Sequence, residues 1–146
     1  MRDASAPDAL PTALVLEEPL SLWGGMDPAT GVLIDAHHPQ RGAVLAGRVV
    51  VMPSGRGSSS SASVLAEAVR AGTAPAGFVL AEPDLILSVG AAVAEELYGV
   101  VVPIVVLPPG VLAAIADGEP YDIERAISQG PKGASDPRRD DAAPAF

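Results

Sequence analysis

Residues 49–70 read VVVMPSGRGSSSSASVLAEAVR. Val49, Val50 and Val51 form a continuous apolar run, the pattern of a strand buried on both faces. Pro53 to Ser61 is a Gly/Ser loop. From Ala62 to Ala71 the residues Val64, Leu65, Ala68 and Val69 fall on one face at 3.6-residue spacing, which predicts a helix with Gly72 as its stop. A strand therefore hands over to a helix through a short polar loop.

The same alternation runs outward from this segment. Upstream, Ala43 to Met52 as a whole is strand-like. Thr12 to Glu18, with Leu14, Val15 and Leu16, is a first strand, and Val32, Leu33 and Ile34 make a short one. Between them, Gly24–Gly25, Asp27–Pro28 and Thr30–Gly31 are turn dipeptides. Downstream, Gly77 to Ala81 is a buried strand and Glu82, Pro83 and Asp84 turn the chain. Leu85 to Ser88 reads as strand or helix start, and Ala91 to Leu97 as helix. Val100 to Leu107 is the next strand, Val111 to Ala116 a short helix, and Tyr121 to Arg125 a last short strand. The alternation predicts an α/β class: a compact β/β/α domain with a mixed sheet or small barrel and flanking helices. It spans residues 12–127. Residues 1–11 read as a flexible N-terminal segment. Residues 128–146 lack Leu, Ile, Val and Met and read as a disordered tail.

Length and composition narrow the function. The chain has 146 residues, enough for one domain with a real core. Nine Lys+Arg against eighteen Asp+Glu give a net charge of −9. That balance argues against nucleic acid and against a polybasic membrane anchor. With no cysteine, a disulfide, a thiol nucleophile or a Cys-ligated metal within the chain is excluded, and a reducing, cytoplasmic setting is expected. The first residues do not resemble a signal peptide. Leu97 to Ala116 is uncharged for twenty residues, but Pro103, Pro108, Pro109 and Gly110 break it, so no membrane span is expected.

The Gly/Ser loop carries the chemistry. It sits at a helix N-terminus, where first-turn N–H groups lack intrahelical partners and the dipole adds positive charge. Gly55 and Gly57 can fold the backbone into a nest of donors. Ser58 to Ser61 can cap the helix and donate hydroxyls, and Arg56 can fork onto a carboxylate or phosphate. The expectation is an anion site. No Lys follows the second Gly, so this is not a P-loop. Ser60 stands where a dinucleotide fingerprint needs a third Gly, and no serine is framed as Gly-x-Ser-x-Gly. A flexible Ser-rich linker is the competing reading. Elsewhere, His37 and His38 read as structural, Asp27 and Asp35 as turn residues, and Glu95 and Glu96 as a solvated helix face. No metal-ligand set is visible.

These blocks together resemble the swivel domain, or small subunit, of aconitase X. The matching blocks are Gly24-Gly25-Met26-Asp27-Pro28 with Thr30-Gly31, then Asp35 with His38-Pro39 and Gly42, then Gly47 through Ser61 (GRVVVMPSGRGSSSS). Val64-Leu65-Ala66-Glu67-Ala68, Gly72 through Gly77 (GTAPAG) and Val93 through Gly99 (VAEELYG) follow in order. Position 62 is Ala where the family's serine run often continues.

The resemblance implies a swivelling β/β/α domain paired with a large catalytic subunit. That partner would hold an iron–sulfur cluster, of two-iron type, through its own cysteines, with the iron acting as a Lewis acid on the leaving hydroxyl. Ser58 corresponds to the catalytic base, and Arg56, Gly57, Ser59 and Ser60 to residues that bind the substrate's carboxylate or polarise Ser58. The implied reaction is dehydration of a small carboxylate, with cis-3-hydroxy-L-proline converted to Δ1-pyrroline-2-carboxylate. (R)-5-phosphomevalonate dehydration is the alternative, and a non-catalytic small-anion-binding module a further one. An Ala-, Gly- and Arg-rich chain with one Lys fits a high-GC bacterium and favours hydroxyproline.

Overall fold

The computed structural model describes residues 9–129. Four strands, β1 (Ala13–Val15), β4 (Val49–Val51), β5 (Gly77–Leu80) and β6 (Ile104–Val106), form an open sheet in the order β1-β4-β5-β6. Every neighbouring pair in it is parallel. The register sets Leu14 opposite Val50, Val50 opposite Phe78 and Phe78 opposite Ile104. An antiparallel ribbon of β2 (Met26–Asp27) and β3 (Val32–Leu33) stands apart from it. The expected α/β class is what forms. The sheet does not close into a small barrel: β1 and β6, at its two ends, do not pair with each other.

Successive strand residues point to opposite faces, and both faces are covered. Leu14, Val50, Phe78 and Leu80 pack on one side with Leu65, Ala68 and Val69 of helix α2 (Ser61–Ala71) and Leu87 and Ala94 of α3 (Leu85–Tyr98). Ala13, Val49, Val51, Val79 and Val105 pack on the other side with Leu112 of α4 (Pro109–Ala113) and Ile123 of α5 (Ile123–Gln129). Val49, Val50 and Val51 are fully buried, each burial worth about 1.5–3 kcal/mol. This is why the valine run does not alternate with polar residues.

Several elements differ from the sequence expectation, each for a local reason. The strand over Ala43–Met52 contracts to Val49–Val51 because Gly47 takes φ 73° and the Arg48 amide turns back to the Leu45 carbonyl at 3.0 Å. The first strand contracts to Ala13–Val15. Val100–Leu107 contracts to Ile104–Val106, since Pro103 has no N–H to give the ladder. Leu85–Ser88 and Ala91–Leu97 are one helix, started by Asp84, whose side chain accepts from the Leu87 amide. The short helix begins at Pro109, since proline suits a first turn. Tyr121–Arg125 is not a strand. Asp122 accepts from the Arg125 amide at 3.0 Å and starts α5. That helix ends at Gln129, inside the stretch expected as a tail from residue 128; residues 130–146 and 1–8 lie outside the described part.

The β1 edge is blocked by its own chain. The Val15 amide donates to Asp117 Oδ1 at 2.8 Å, and Gln40 Nε2 donates to the Val15 carbonyl at 3.0 Å. The Ala13 amide donates to the Glu119 carbonyl at 2.8 Å. Side chains and a loop thus take the place of a fifth strand. The uncharged stretch Leu97–Ala116 is divided among the end of α3, β6 and α4, and no helix among the described residues is long and apolar enough to cross a membrane.

Candidate functional site

Parallel strands point all their carboxyl ends one way, and the loops leaving those ends are where such folds bind ligands. Here the loops after β4 and β5 enter α2 and α3. The two helices start side by side because Gly90 lets the backbone of Ala62 approach: a Cβ at Gly90 would stand 3.0 Å from Ala62 Cα. A small pocket opens there, lined by Gly55, Arg56, Gly57, Ser58 and Ser61 from the first loop and Asp84, Ile86 and Leu87 from the second, with Leu20 and Leu22 across from them. Its free volume is about 10 Å³, room for one water molecule.

Each expected residue has a definite place. Arg56 and Gly57 border the pocket and are exposed, and Ser58 borders it half-buried. Ser59 and Ser60 are exposed and do not line it. Ser58 Oγ accepts from the Ser60 amide at 3.3 Å, and its carbonyl accepts from the Ser61 amide at 2.9 Å. The Arg56 amide is spent on the Leu20 carbonyl at 3.2 Å. Among the described residues, no hydrogen bond engages the Gly57, Ser58 or Ser59 amides or the Arg56 guanidinium. These donors are left without a partner among the described residues.

The geometry of that loop differs from the expected nest. Neither Gly55 nor Gly57 has a positive φ. Gly55 instead makes a close approach: a Cβ there would meet the Asp84 carboxylate and one of the two would have to shift, while the space beside Gly57 is open. The helix begins at Ser61, one residue early, and Ser60 occupies the cap position without a side-chain bond. Ser61 does not cap. It is 4 % exposed, accepts from the Trp23 amide at 3.1 Å and lies 3.2 Å from the Ser21 hydroxyl. It ties the loop to α1 (Leu22–Gly25), a turn whose Trp23 and Gly24 leave the helical region.

The polar residues read as structural behave so. His38, 5 % exposed, accepts the Gln40 amide on Nδ1 at 3.0 Å, which leaves Nε2 protonated to donate to the Glu18 carbonyl, also at 3.0 Å. Asp27 and Asp35 accept amides two residues on, at Ala29 and His37. Glu95 and Glu96 are exposed on α3. Among the described residues no group of three His, Cys, Asp or Glu side chains could hold a metal, and the chain has no cysteine. An iron–sulfur cluster does not fit this chain's own residues.

Leu20 and Leu22 were not singled out by the sequence, Asp84 was read only as a turn residue, and Ser61 only as one of four serines able to cap the helix. Asp84 carried a further signal, an Asp three residues before Leu87 at the head of an apolar run. The bond from the Trp23 amide to Ser61 carried none, because the two are 38 residues apart. A second feature lies along α3: Leu85, Val89, Val93 and Leu97, spaced four apart, are all exposed, with Leu85 at 77 % and Leu97 at 63 %. Such a stripe exceeds the scattered apolar exposure of an ordinary surface.

The comparisons with known proteins agree with this picture. The aconitase X swivel domain model matches residues 1–129. A cis-3-hydroxy-L-proline dehydratase of Pseudomonas aeruginosa is 52 % identical over 88 residues, which are 60 % of this chain and 15 % of that one. A phosphomevalonate dehydratase small subunit of Methanopyrus kandleri is 46 % identical over 82 residues, 56 % of this chain and 61 % of that one. The chain thus spans only part of the length of these relatives. The crystal structure of Thermococcus kodakaraensis aconitase X (holo-form) superposes with a TM-score of 0.65 at 30 % identity, covering 75 % of this chain and 78 % of the other. With its parallel sheet, its strand–loop–helix pocket and a family match reaching from residue 1 to the end of α5, the chain belongs to the aconitase X swivel domain family.

Proposed function

We propose that this chain is the small subunit of a heteromeric hydro-lyase, acting in the cytoplasm, that dehydrates cis-3-hydroxy-L-proline to Δ1-pyrroline-2-carboxylate. One observation carries the reading: the half-buried Ser58 hydroxyl borders the same pocket as Arg56 and Gly57, next to unspent loop amides. The 52 % identity to the Pseudomonas aeruginosa dehydratase supports the substrate.

Dehydration needs a proton taken from the carbon α to the carboxylate while the β-hydroxyl departs. A serine alkoxide alone is too basic to persist, so convergent donors have to stabilise it. In this reading Arg56 and the Gly57 and Ser59 amides hold the substrate carboxylate, Ser60 supports the loop, and Ser58 Oγ takes the Cα proton. The hydroxyl at C3 takes a proton from solvent and leaves as water, Ser58 returns its proton to solvent, and the resulting enamine tautomerises to the imine. The pocket itself has room for one water, so the substrate lies across its mouth and a partner closes the other walls. That partner is the large subunit, which carries the iron–sulfur cluster, and the exposed Leu85–Leu97 stripe is its docking face.

The test is to reconstitute the two subunits and assay cis-3-hydroxy-L-proline and (R)-5-phosphomevalonate side by side. Turnover of the first is expected. Turnover of phosphomevalonate alone makes this the other dehydratase. Binding of a small anion by the isolated chain, with no turnover by any assembly, makes it a non-catalytic module.

A further inference from the structure

The two oxygens of Asp84 have different surroundings. Oδ1 accepts the Leu87 amide at 3.0 Å and so caps α3. Oδ2 lies against Gly55, in the place a side chain there would take, and accepts no hydrogen bond from the described residues. No cation is paired with it: among the described residues the one ion pair joins Arg70 to Glu67, away from the pocket.

A bare carboxylate in the wall of a site that attracts anions works against a purely anionic ligand. Toward a ligand with one negative and one positive end it becomes attractive. The carboxylate and ammonium of an α-amino acid hang on the same carbon, so both of their partners have to border one small pocket, as Arg56 and Asp84 do. We propose that Asp84 is a specificity-determining residue that takes the ring ammonium of the substrate while Arg56 and the loop amides take its carboxylate. The site then selects a zwitterionic cyclic amino acid over an acid of similar size that carries no cation. This rests on the hydroxyproline reading and gives it a residue.

Asp84→Asn separates charge from shape, since asparagine caps a helix as well as aspartate and has the same size against Gly55. The reconstituted two-subunit enzyme is assayed on cis-3-hydroxy-L-proline, with L-proline and tetrahydrofuran-2-carboxylate as competing inhibitors. The second has the same ring and carboxylate with an ether oxygen in place of the ammonium. The wild type is expected to prefer L-proline at least about tenfold. Asp84→Asn is expected to raise KM roughly ten- to hundredfold, keep kcat within a few fold, and bring the two inhibitors to parity. If its melting temperature shifts, Asp84→Ser, which also caps, gives the same readout. Wild-type KM and wild-type discrimination in these variants overturn the Asp84 role and leave the dehydratase reading standing, as does a fall in kcat alone. A wild-type enzyme inactive on cis-3-hydroxy-L-proline overturns both.

Discussion

The Asp84 carboxylate fills the hollow left by the missing side chain of Gly55. The contact joins the loop after β4 to the loop after β5 and holds both at the mouth of the same pocket. Gly55→Ala pushes a methyl group into that carboxylate. Activity of the assembled enzyme is expected to fall at least about tenfold, since displacing a loop by an ångström is enough to misplace a reacting group. The melting temperature should move little, because the loop lies outside both cores. Wild-type kinetics in Gly55→Ala would refute the coupling of the two loops.

Ser58→Ala tests the proposed role of Ser58 as base. Among the described residues its hydroxyl accepts one bond, from the Ser60 amide, so folding and subunit assembly should survive. Turnover is expected to drop roughly 10²–10⁴-fold, with little change in KM, as for loss of a proton-transfer group. A variant retaining a tenth or more of the wild-type rate would remove Ser58 from that role.

The α3 stripe makes a prediction about assembly. Leu97→Glu places a charge on a residue that is 63 % exposed, so the isolated chain should melt within a few degrees of wild type. Co-purification with the large subunit should be lost. An intact complex carrying this change would move the docking face elsewhere.

Phe78 is fully buried at the centre of the sheet, between Val50 and Ile104. Phe78→Ala should destabilise the domain by about 3–5 kcal/mol in a denaturant titration. A loss below about 1 kcal/mol would mean that the face bearing α2 and α3 is not the main core.

Tyr121 packs against the second core, and desolvation holds its phenol above the ordinary value of 10.0. Below that pH the phenol is neutral folded and unfolded, and its contribution is whole. As pH rises past it the unfolded chain ionises first, so stability is lost toward alkaline pH. Tyr121→Phe should decline less steeply between pH 9 and 11; an unchanged slope would show that Tyr121 does not set it.

Much of the site was legible because its elements are local. Val49–Val51, the Gly/Ser loop and the Leu65–Ala68–Val69 face follow one another, so strand, loop and helix could be read in a single pass. Strand lengths were overread, since Gly47 and Pro103 end ladders in ways an apolar run does not reveal. The Tyr121–Arg125 segment was misread because one Asp cap outweighed its short apolar pattern. Gly55 and Gly57 were expected to act through backbone freedom, whereas Gly55 serves by having no side chain where Asp84 arrives.

What the amino-acid order determined alone is the class of fold and the strand–loop–helix succession around the Gly/Ser loop, because periodicity and turn chemistry act between near neighbours in the chain. What only the folded molecule decided is which distant groups meet there. Asp84 comes from the next crossover, Leu20 and Leu22 from an irregular loop, and Ser61 turns away from its own helix to hold Trp23. Those meetings are set by how parallel strands align their ends and how closely Gly90 lets α2 and α3 approach, which no short window of sequence contains.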